Sequence, residues 1–343
     1  MNFKMAAYSI YLAALAFICA FCIKATTAAY LDHIFDNGTN QVKREIVWKA
    51  VQEPMPVSKE KELLQKDVLI RRGEFGSLHG SRLLEVELEC CELGISVSQA
   101  MSIRKQLLMG KARSNHWKLR KKKSLKNVIH SFEKEGKSLT TIAQELDLPP
   151  VSVFRAIIAN RVLDRPPEIQ VARRKRPSRK IIQSIIAENN SSYLDSYISK
   201  RELAEIQRAK KCDVIGHIMN STSPQDWEND LYKFLDAHQI NYIKEKDLKS
   251  LGTQSTPDCL LLDDISINGR KVRWIEFKSY YASGLKENWW FTKKLIEQSE
   301  KYKKEFRGEG AIIMKGGFSE KLTTSSTLFL DSGPLSTDFI CIF

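Results

Sequence analysis

Two carboxylates and a lysine, set among apolar residues, are the side chains of this sequence best placed to do chemistry: Asp258 in Thr256-Pro257-Asp258, and Glu276 and Lys278 on either side of Phe277. Carboxylate oxygens suit a hard cation, Mg²⁺ or alternatively Mn²⁺. Such an ion would polarise a phosphodiester and lower the pKa of a water, while an ammonium beside it would orient that water or offset developing charge. Asp258, Glu276 and Lys278 are therefore the candidate catalytic residues, with Asp258 and Glu276 also metal ligands. A strand salt bridge uses the same residue types, so the case depends on whether the fold brings them together.

Asn268-Gly269 separates two strand-like runs, 259–267 and 270–278, and this dipeptide is a strong hairpin signal. Alternation along a strand places Trp274, Glu276 and Lys278 on one face and Ile275 and Phe277 on the other. The turn decides where Asp258 falls. A two-residue loop at Asn268 and Gly269 pairs Asp258 with Ser279 and turns it to the Phe277 face. A three-residue loop, Ile267 to Gly269, with glycine in the left-handed third position and a bulge, puts Asp258 opposite Lys278 and diagonal to Glu276. The chemistry needs the second arrangement, which is the expectation.

The neighbouring segments supply supports. Apolar spacing predicts a helix over 226–238 with Trp227, Leu231, Phe234 and Leu235 inward, and it carries Glu228 as a candidate third ligand. A helix over 291–306 places Gln298 and Tyr302, four residues apart, on one face. A short apolar strand follows at 311–314. The order helix, strand, strand, helix, strand predicts an α/β domain with a mixed sheet flanked by helices.

The rest of the chain differs in charge. The protein of 343 residues has a formal charge of +13, yet residues 101–180 hold 21 Lys and Arg against 6 Asp and Glu, leaving 33 against 35 elsewhere. So local an excess points to a polyanion, nucleic acid first and an anionic membrane surface second. Helical periodicity runs from Leu83 to Met109 with a break at Gly94-Ile95-Ser96, Ser98 being placed to cap the second helix. It returns from Leu125 through Val128, Ile129 and Phe132. Ser138 then caps 139–146, Asp147 to Pro150 makes a turn, and 151–162 forms a last helix with Val151, Phe154, Ile157 and Ile158 buried and Ser152, Arg155, Asn160 and Arg161 outward. This matches a helix-turn-helix or a plain helical bundle. Lys121, Lys122, Lys123 and Arg155 are the candidate nucleic-acid contacts in this half.

The expected organisation is an apolar segment at 1–29, a helical region with the first helix-turn-helix at 30–110, the basic second one at 111–165, a Pro- and Arg-rich linker at 166–180, a nuclease-like domain at 181–330 and a tail at 331–343. Residues 5–23 are almost wholly apolar between Lys4 and Lys24, which reads equally as a signal or anchor and as an unusual extension. The seven cysteines show no disulfide framework, and Cys19-x-x-Cys22 has no partner pair for zinc.

Pro-Asp, Glu-x-Lys and Gln-x-x-x-Tyr in this element order resemble the PD-(D/E)xK nuclease superfamily. More narrowly, Thr256-Pro257-Asp258, Trp274-Ile275-Glu276 with Lys278, and Pro177-Ser178 with Ile181-Ile182 look like the codanin-interacting nuclease family of animals, the TPD-motif proteins, over residues 80–320. The resemblance implies metal ligation by Asp258, Glu276 and the Phe277 carbonyl, a catalytic Lys278, and Gln298 and Tyr302 on the substrate strand. It also implies codanin and DNA, branched forms included, as partners rather than a small molecule, a role in chromatin assembly and erythroid differentiation, and residence in nucleus and cytoplasm. Residues 1–29 have no counterpart in that family and, acting as a signal or anchor, would send the chain to the secretory pathway or a membrane instead. The competing expectation is a weakly active or inactive scaffold that binds DNA and codanin.

Overall fold

The computed structural model describes residues 43–163, 198–215, 224–285 and 289–335. The apolar segment 1–29, the linker 166–180 and the helix expected from Ile181 lie outside them. In chain order the elements are strand β1 (Lys43–Ile46); helices α1 (Val57–Gln65), α2 (Ser81–Leu93), α3 (Val97–Asn115), α4 (Trp117–Arg120), α5 (Lys122–Glu133), α6 (Leu139–Leu146), α7 (Pro150–Leu163), α8 (Lys200–Lys211) and α9 (Pro224–Ala237); β2 (Tyr242–Lys244), α10 (Glu245–Leu251), β3 (Cys259–Ile267), β4 (Arg270–Lys278), α11 (Trp289–Phe306), β5 (Gly310–Met314) and β6 (Leu328–Leu330). They form two compact units, a helical one over 58–223 and a sheet-bearing one that joins 224–343 to the segment before 58.

In the helical unit, Gly94 adopts a left-handed conformation, φ 57°, and ends α2. The next helix is capped by Ser96, which accepts the Gln99 N–H, and not by Ser98 as the sequence suggested. A helix that begins two residues earlier already includes Ser98. The Ser138 cap is present and accepts from Thr141, and Asp147 closes α6 in the left-handed region at φ 54°. Val151, Phe154, Ile157 and Ile158 are all buried on α7. Its other face is less open than alternation suggested, since Ser152, Arg155 and Asn160 are each partly covered.

Helix α8 belongs to this unit, although its position after the prolines assigned it to the nuclease-like domain. Ile206 and Ala209 join the core formed by α5, α6 and α7. Buried Glu205 accepts the Leu139 N–H at 2.8 Å, and buried Asp213, just past α8, accepts the Val151 N–H at 3.1 Å. Carboxylates from the α8 segment therefore satisfy orphan amides at the starts of both α6 and α7, where the helix dipoles favour negative charge.

The sheet runs β1-β3-β4-β5-β6, with β2 pairing the first part of β3. β3 and β4 are antiparallel, while β1, β5 and β6 each run parallel to their neighbours, so the sheet is mixed. Three of these strands, β1, β2 and β6, were not anticipated. β1 lies in the stretch read as helical, and β6 lies in the Ser- and Thr-rich segment near the end. Both are short, three to four residues, and take their stability from edge pairing. α9 covers one face with Trp227, Leu231 and Leu235 against Ile275, Phe277 and Ile313. α11 covers the other with Leu295, Tyr302 and Phe306 against Trp274, Ile312 and Met314.

The β3–β4 turn corrects the sequence reading. Ile267 pairs with Arg270, leaving the two-residue loop Asn268-Gly269 with φ of 49° and 76° at the two positions, as a type I′ turn requires. Residues 45–48 hold it there: the Asn268 side chain accepts the Trp48 N–H at 2.8 Å, and the Gly269 N–H donates to Glu45 at 2.7 Å. The bulge lies within the ladder instead. Partners sum to 537 from Ile265↔Val272 to the turn and to 534 at Leu260↔Trp274 and Cys259↔Ile275.

Gly310 sits beside Trp274 in the β4–β5 ladder, and a Cβ there would lie 2.1 Å from the indole. Trp274 is fully buried and donates its indole N–H to the Gly308 carbonyl, so it has no open space to retreat into. Gly310→Ala is expected to destabilise the sheet unit by about 1–3 kcal/mol through overpacking. Gly110→Ala, in α3 with nothing within 4 Å of an added Cβ, should instead stabilise by up to about 1 kcal/mol. Denaturant unfolding of both variants checks the contrast.

Candidate active site

The three-residue offset in the β3–β4 ladder is an odd number, so it exchanges the faces that a two-residue turn alone would pair. One step beyond Cys259↔Ile275, Asp258 comes directly across from Glu276. The carboxylates thus share the face of the sheet that carries α11, which the sequence reading required, but they reach it through a bulge inside the ladder. Asp258 is opposite Glu276 rather than opposite Lys278.

Both carboxylates are buried, Asp258 at 9% exposure and Glu276 at 3%. Asp258 Oδ2 accepts the Phe277 N–H at 2.7 Å. Burial first, and the Glu276 carboxylate second, push the Asp258 pKa up to about 7, against the Phe277 N–H and the Lys278 cation, which pull it down. Glu276 Oε1 takes an ion-pair hydrogen bond from Lys278 and a second bond from Gln298 Nε2 at 3.2 Å, whereas Glu276 Oε2 is buried with no hydrogen-bond partner. For Lys278, burial favours the neutral amine, but the Glu276 carboxylate outweighs it and the pKa is raised.

The loop that delivers Asp258 is held from two helices. Tyr232 of α9 donates its hydroxyl to the Asp258 carbonyl at 3.1 Å, and the same oxygen accepts the Glu245 N–H at 3.2 Å. Tyr302 of α11 donates to the Thr256 carbonyl at 3.2 Å, accepts from Gln298, and packs edge-on against Trp274 with ring centroids 5.1 Å apart. Tyr302 is only 4% exposed. It supports Thr256-Pro257-Asp258 from α11. Gln298 aims at Glu276 rather than outward. Sequence reasoning missed Tyr232 and Glu245. The signal for Tyr232 was its place on α9 one turn beyond Glu228.

Among the described residues, no three Asp, Glu, His or Cys side chains converge to hold a metal ion. Glu228 lies on α9 and interacts electrostatically with Asp258. It is close enough in charge that burial first, then Asp258 and Glu245, raise its pKa. The described cysteines, Cys90, Cys91, Cys212 and Cys259, are free thiols. Lys121, Lys122 and Lys123 are exposed, and Arg155 is partly covered; all four belong to the helical unit. No described helix is long and apolar enough to cross a membrane.

Comparison with known proteins agrees with the motifs. Residues 196–332 match the family described as "Protein of unknown function TPD sequence-motif". The chain is 23% identical over 209 residues to CDAN1-interacting nuclease 1 of Danio rerio, a match that covers 59% of this chain and 64% of that protein. No solved structure matches. Both matches support the codanin-interacting family.

The raised Asp258 pKa has a definite sign in stability. The side chain ionises near 3.8 when unfolded and near 7 when folded, so the folded chain holds the extra proton between those values. Its contribution is fully present below about pH 4 and is lost as pH rises through 7. In the presence of a chelator, Asp258→Asn should gain stability over the wild type as pH goes from 5 to 8. Thermal unfolding across that range measures the difference, and a constant gap would contradict it.

Proposed function

We propose that this chain is a nuclease-like, codanin-interacting protein that hydrolyses phosphodiester bonds in DNA, branched forms included, with a divalent cation held between Asp258 and Glu276. The observation that carries the reading is the facing pair itself. Two buried carboxylates across one ladder repel, and one oxygen, Glu276 Oε2, is buried without a hydrogen-bond partner. That donor set fits Mg²⁺ or Mn²⁺, which prefer carboxylate oxygen and neutralise such a pair. When bound, the ion supplies Lewis-acid polarisation of the scissile phosphate and activation of water.

The chain's own residues do the remaining work. Asp258 and Glu276 hold the ion, with the Phe277 carbonyl as a further candidate ligand. The Phe277 N–H fixes the Asp258 carboxylate, and Gln298 fixes that of Glu276. The Lys278 ammonium, kept charged by Glu276, lies where it can offset negative charge that develops on a phosphate. The name of the Danio rerio relative supports both the nuclease and the codanin assignments. A place in chromatin assembly and red-cell differentiation, in nucleus and cytoplasm, follows as part of the same proposal.

A second reading is a scaffold that binds DNA and codanin without cleaving. The Lys278–Glu276 ion pair favours it, because that contact also stabilises a strand with no chemistry attached.

Cleavage of branched, flapped and linear DNA in Mg²⁺ or Mn²⁺ separates the two. Asp258→Ala and Lys278→Ala are each expected to lose at least about a hundredfold in rate, the usual scale for removing a group that stabilises transition-state charge. Equal rates in the wild type and both variants would remove the catalytic assignment. Independently of turnover, Mn²⁺ should raise the melting temperature of the wild type at pH 8 and leave that of Asp258→Asn unmoved.

A further inference from the structure

The helical unit contains a second feature suited to chemistry. Where α3 ends and α4 begins, Ala112, Arg113, His116, Trp117 and Arg120 line a concavity of about 510 Å³ that Ser152 of α7 completes. Trp117 is 50% exposed within it, a large apolar ring left open to solvent. Lys121 Nζ stands 4.2 Å from the centre of that ring. The stretch of chain that forms it is cationic: residues 93–132 contain ten Lys and Arg and no Asp or Glu.

Two of these cations build the wall of the concavity. Lys111 pairs with Asp147 at 2.9 Å, and Lys118 donates to the Leu146 carbonyl at 2.7 Å. With Asn115, which donates to the Asp147 carbonyl, they fasten the α3–α4 corner to the end of α6 and so fix the wall of the concavity. Arg113 and Arg120 line the cavity itself, with Lys121, Lys122 and Lys123 exposed next to it.

We infer that this concavity binds an unpaired nucleotide of a nucleic-acid strand, its base stacked on Trp117 and its phosphates held by Arg113, Arg120 and the adjoining lysines. The volume lies in the range of sites that enclose one small ligand. A duplex keeps its base faces stacked internally, so a duplex would contact the cations and leave the indole unused. An unpaired base offers the free face that an exposed aromatic in a cationic groove accommodates. An acidic peptide would meet the charges and likewise leave Trp117 without a role. The site rests on the nucleic-acid reading of the helical unit and is independent of the chemistry at Asp258.

Binding is measured on the full-length chain in EDTA, so that no cleavage enters. The probes are a fluorescein-labelled oligo(dT) of 20 nucleotides and a blunt duplex of equal length. Trp117→Ala is expected to weaken oligo(dT) binding about tenfold, in the range of one lost stacking contact, and to leave the duplex almost unchanged. Trp117→Phe should restore most of the loss. The double variant Arg113→Ala and Arg120→Ala should flatten the dependence of log affinity on log salt by about 0.7 for each phosphate contact removed from a single strand. Thermal unfolding confirms that the variants are folded. The site is overturned if the wild type fails to bind oligo(dT), if Trp117→Ala weakens duplex and single strand equally, or if poly-glutamate of matched charge displaces the oligonucleotide as readily as unlabelled oligo(dT) does. None of these results touches the cleavage assay, and loss of cleavage in the Asp258 variants leaves this binding intact.

Discussion

Setting two carboxylates face to face inside a protein is unfavourable, and the sheet unit is arranged around that constraint. Desolvation and mutual repulsion both act against Asp258 and Glu276 being charged together, which is why Asp258 ionises only near neutrality. Each group that touches the pair reduces the cost in a particular way. The Phe277 N–H gives Asp258 one fixed donor, Lys278 gives Glu276 a cation, and Gln298 gives it a neutral donor. One oxygen is left over. Leaving a buried acceptor without a donor costs about 1–3 kcal/mol.

The rest of the fold serves to keep that geometry from relaxing. Repelled carboxylates on a pliable loop would swing apart, yet Asp258 leads directly into β3 and its carbonyl is gripped by Tyr232 and the Glu245 amide. Tyr302 grips the same loop two residues earlier. These phenols come from helices on opposite faces of the sheet, α9 and α11, and each helix is anchored by its own apolar cluster. Movement of the Thr256-to-Asp258 loop would therefore disturb both layers. Trp274, wedged between Gly310 and Tyr302, passes the constraint on to β5.

Much of this was legible in the sequence because it is local. Alternation along β4 put Glu276 and Lys278 together, helical periodicity gave α9 and α11, and Asn268-Gly269 marked the hairpin. The position of the bulge was not legible. Chemical need called for an odd shift between Asp258 and Glu276, and a glycine at the turn offered a place for it, but the turn is the two-residue type that the docked segment 45–48 favours. The shift falls instead between Leu260 and Ile265, where no residue type announces it. The bond from Tyr302 to the Thr256 carbonyl was not legible for a related reason: a phenol on the correct helix face can point at a substrate or at a backbone carbonyl. β1 and α8 were assigned to the wrong halves because their partners lie far along the chain, β1 more than two hundred residues from β3.

Charge separates the two units in a way that bears on how such a protein would use them. Outside residues 101–180 the chain is close to neutral, 33 cations against 35 anions, and the candidate active site is itself a concentration of carboxylates, with Glu228 and Glu245 near Asp258. A polyanion gains little by approaching that site on its own account. The cations are gathered elsewhere, in the acid-free stretch 93–132 of the helical unit.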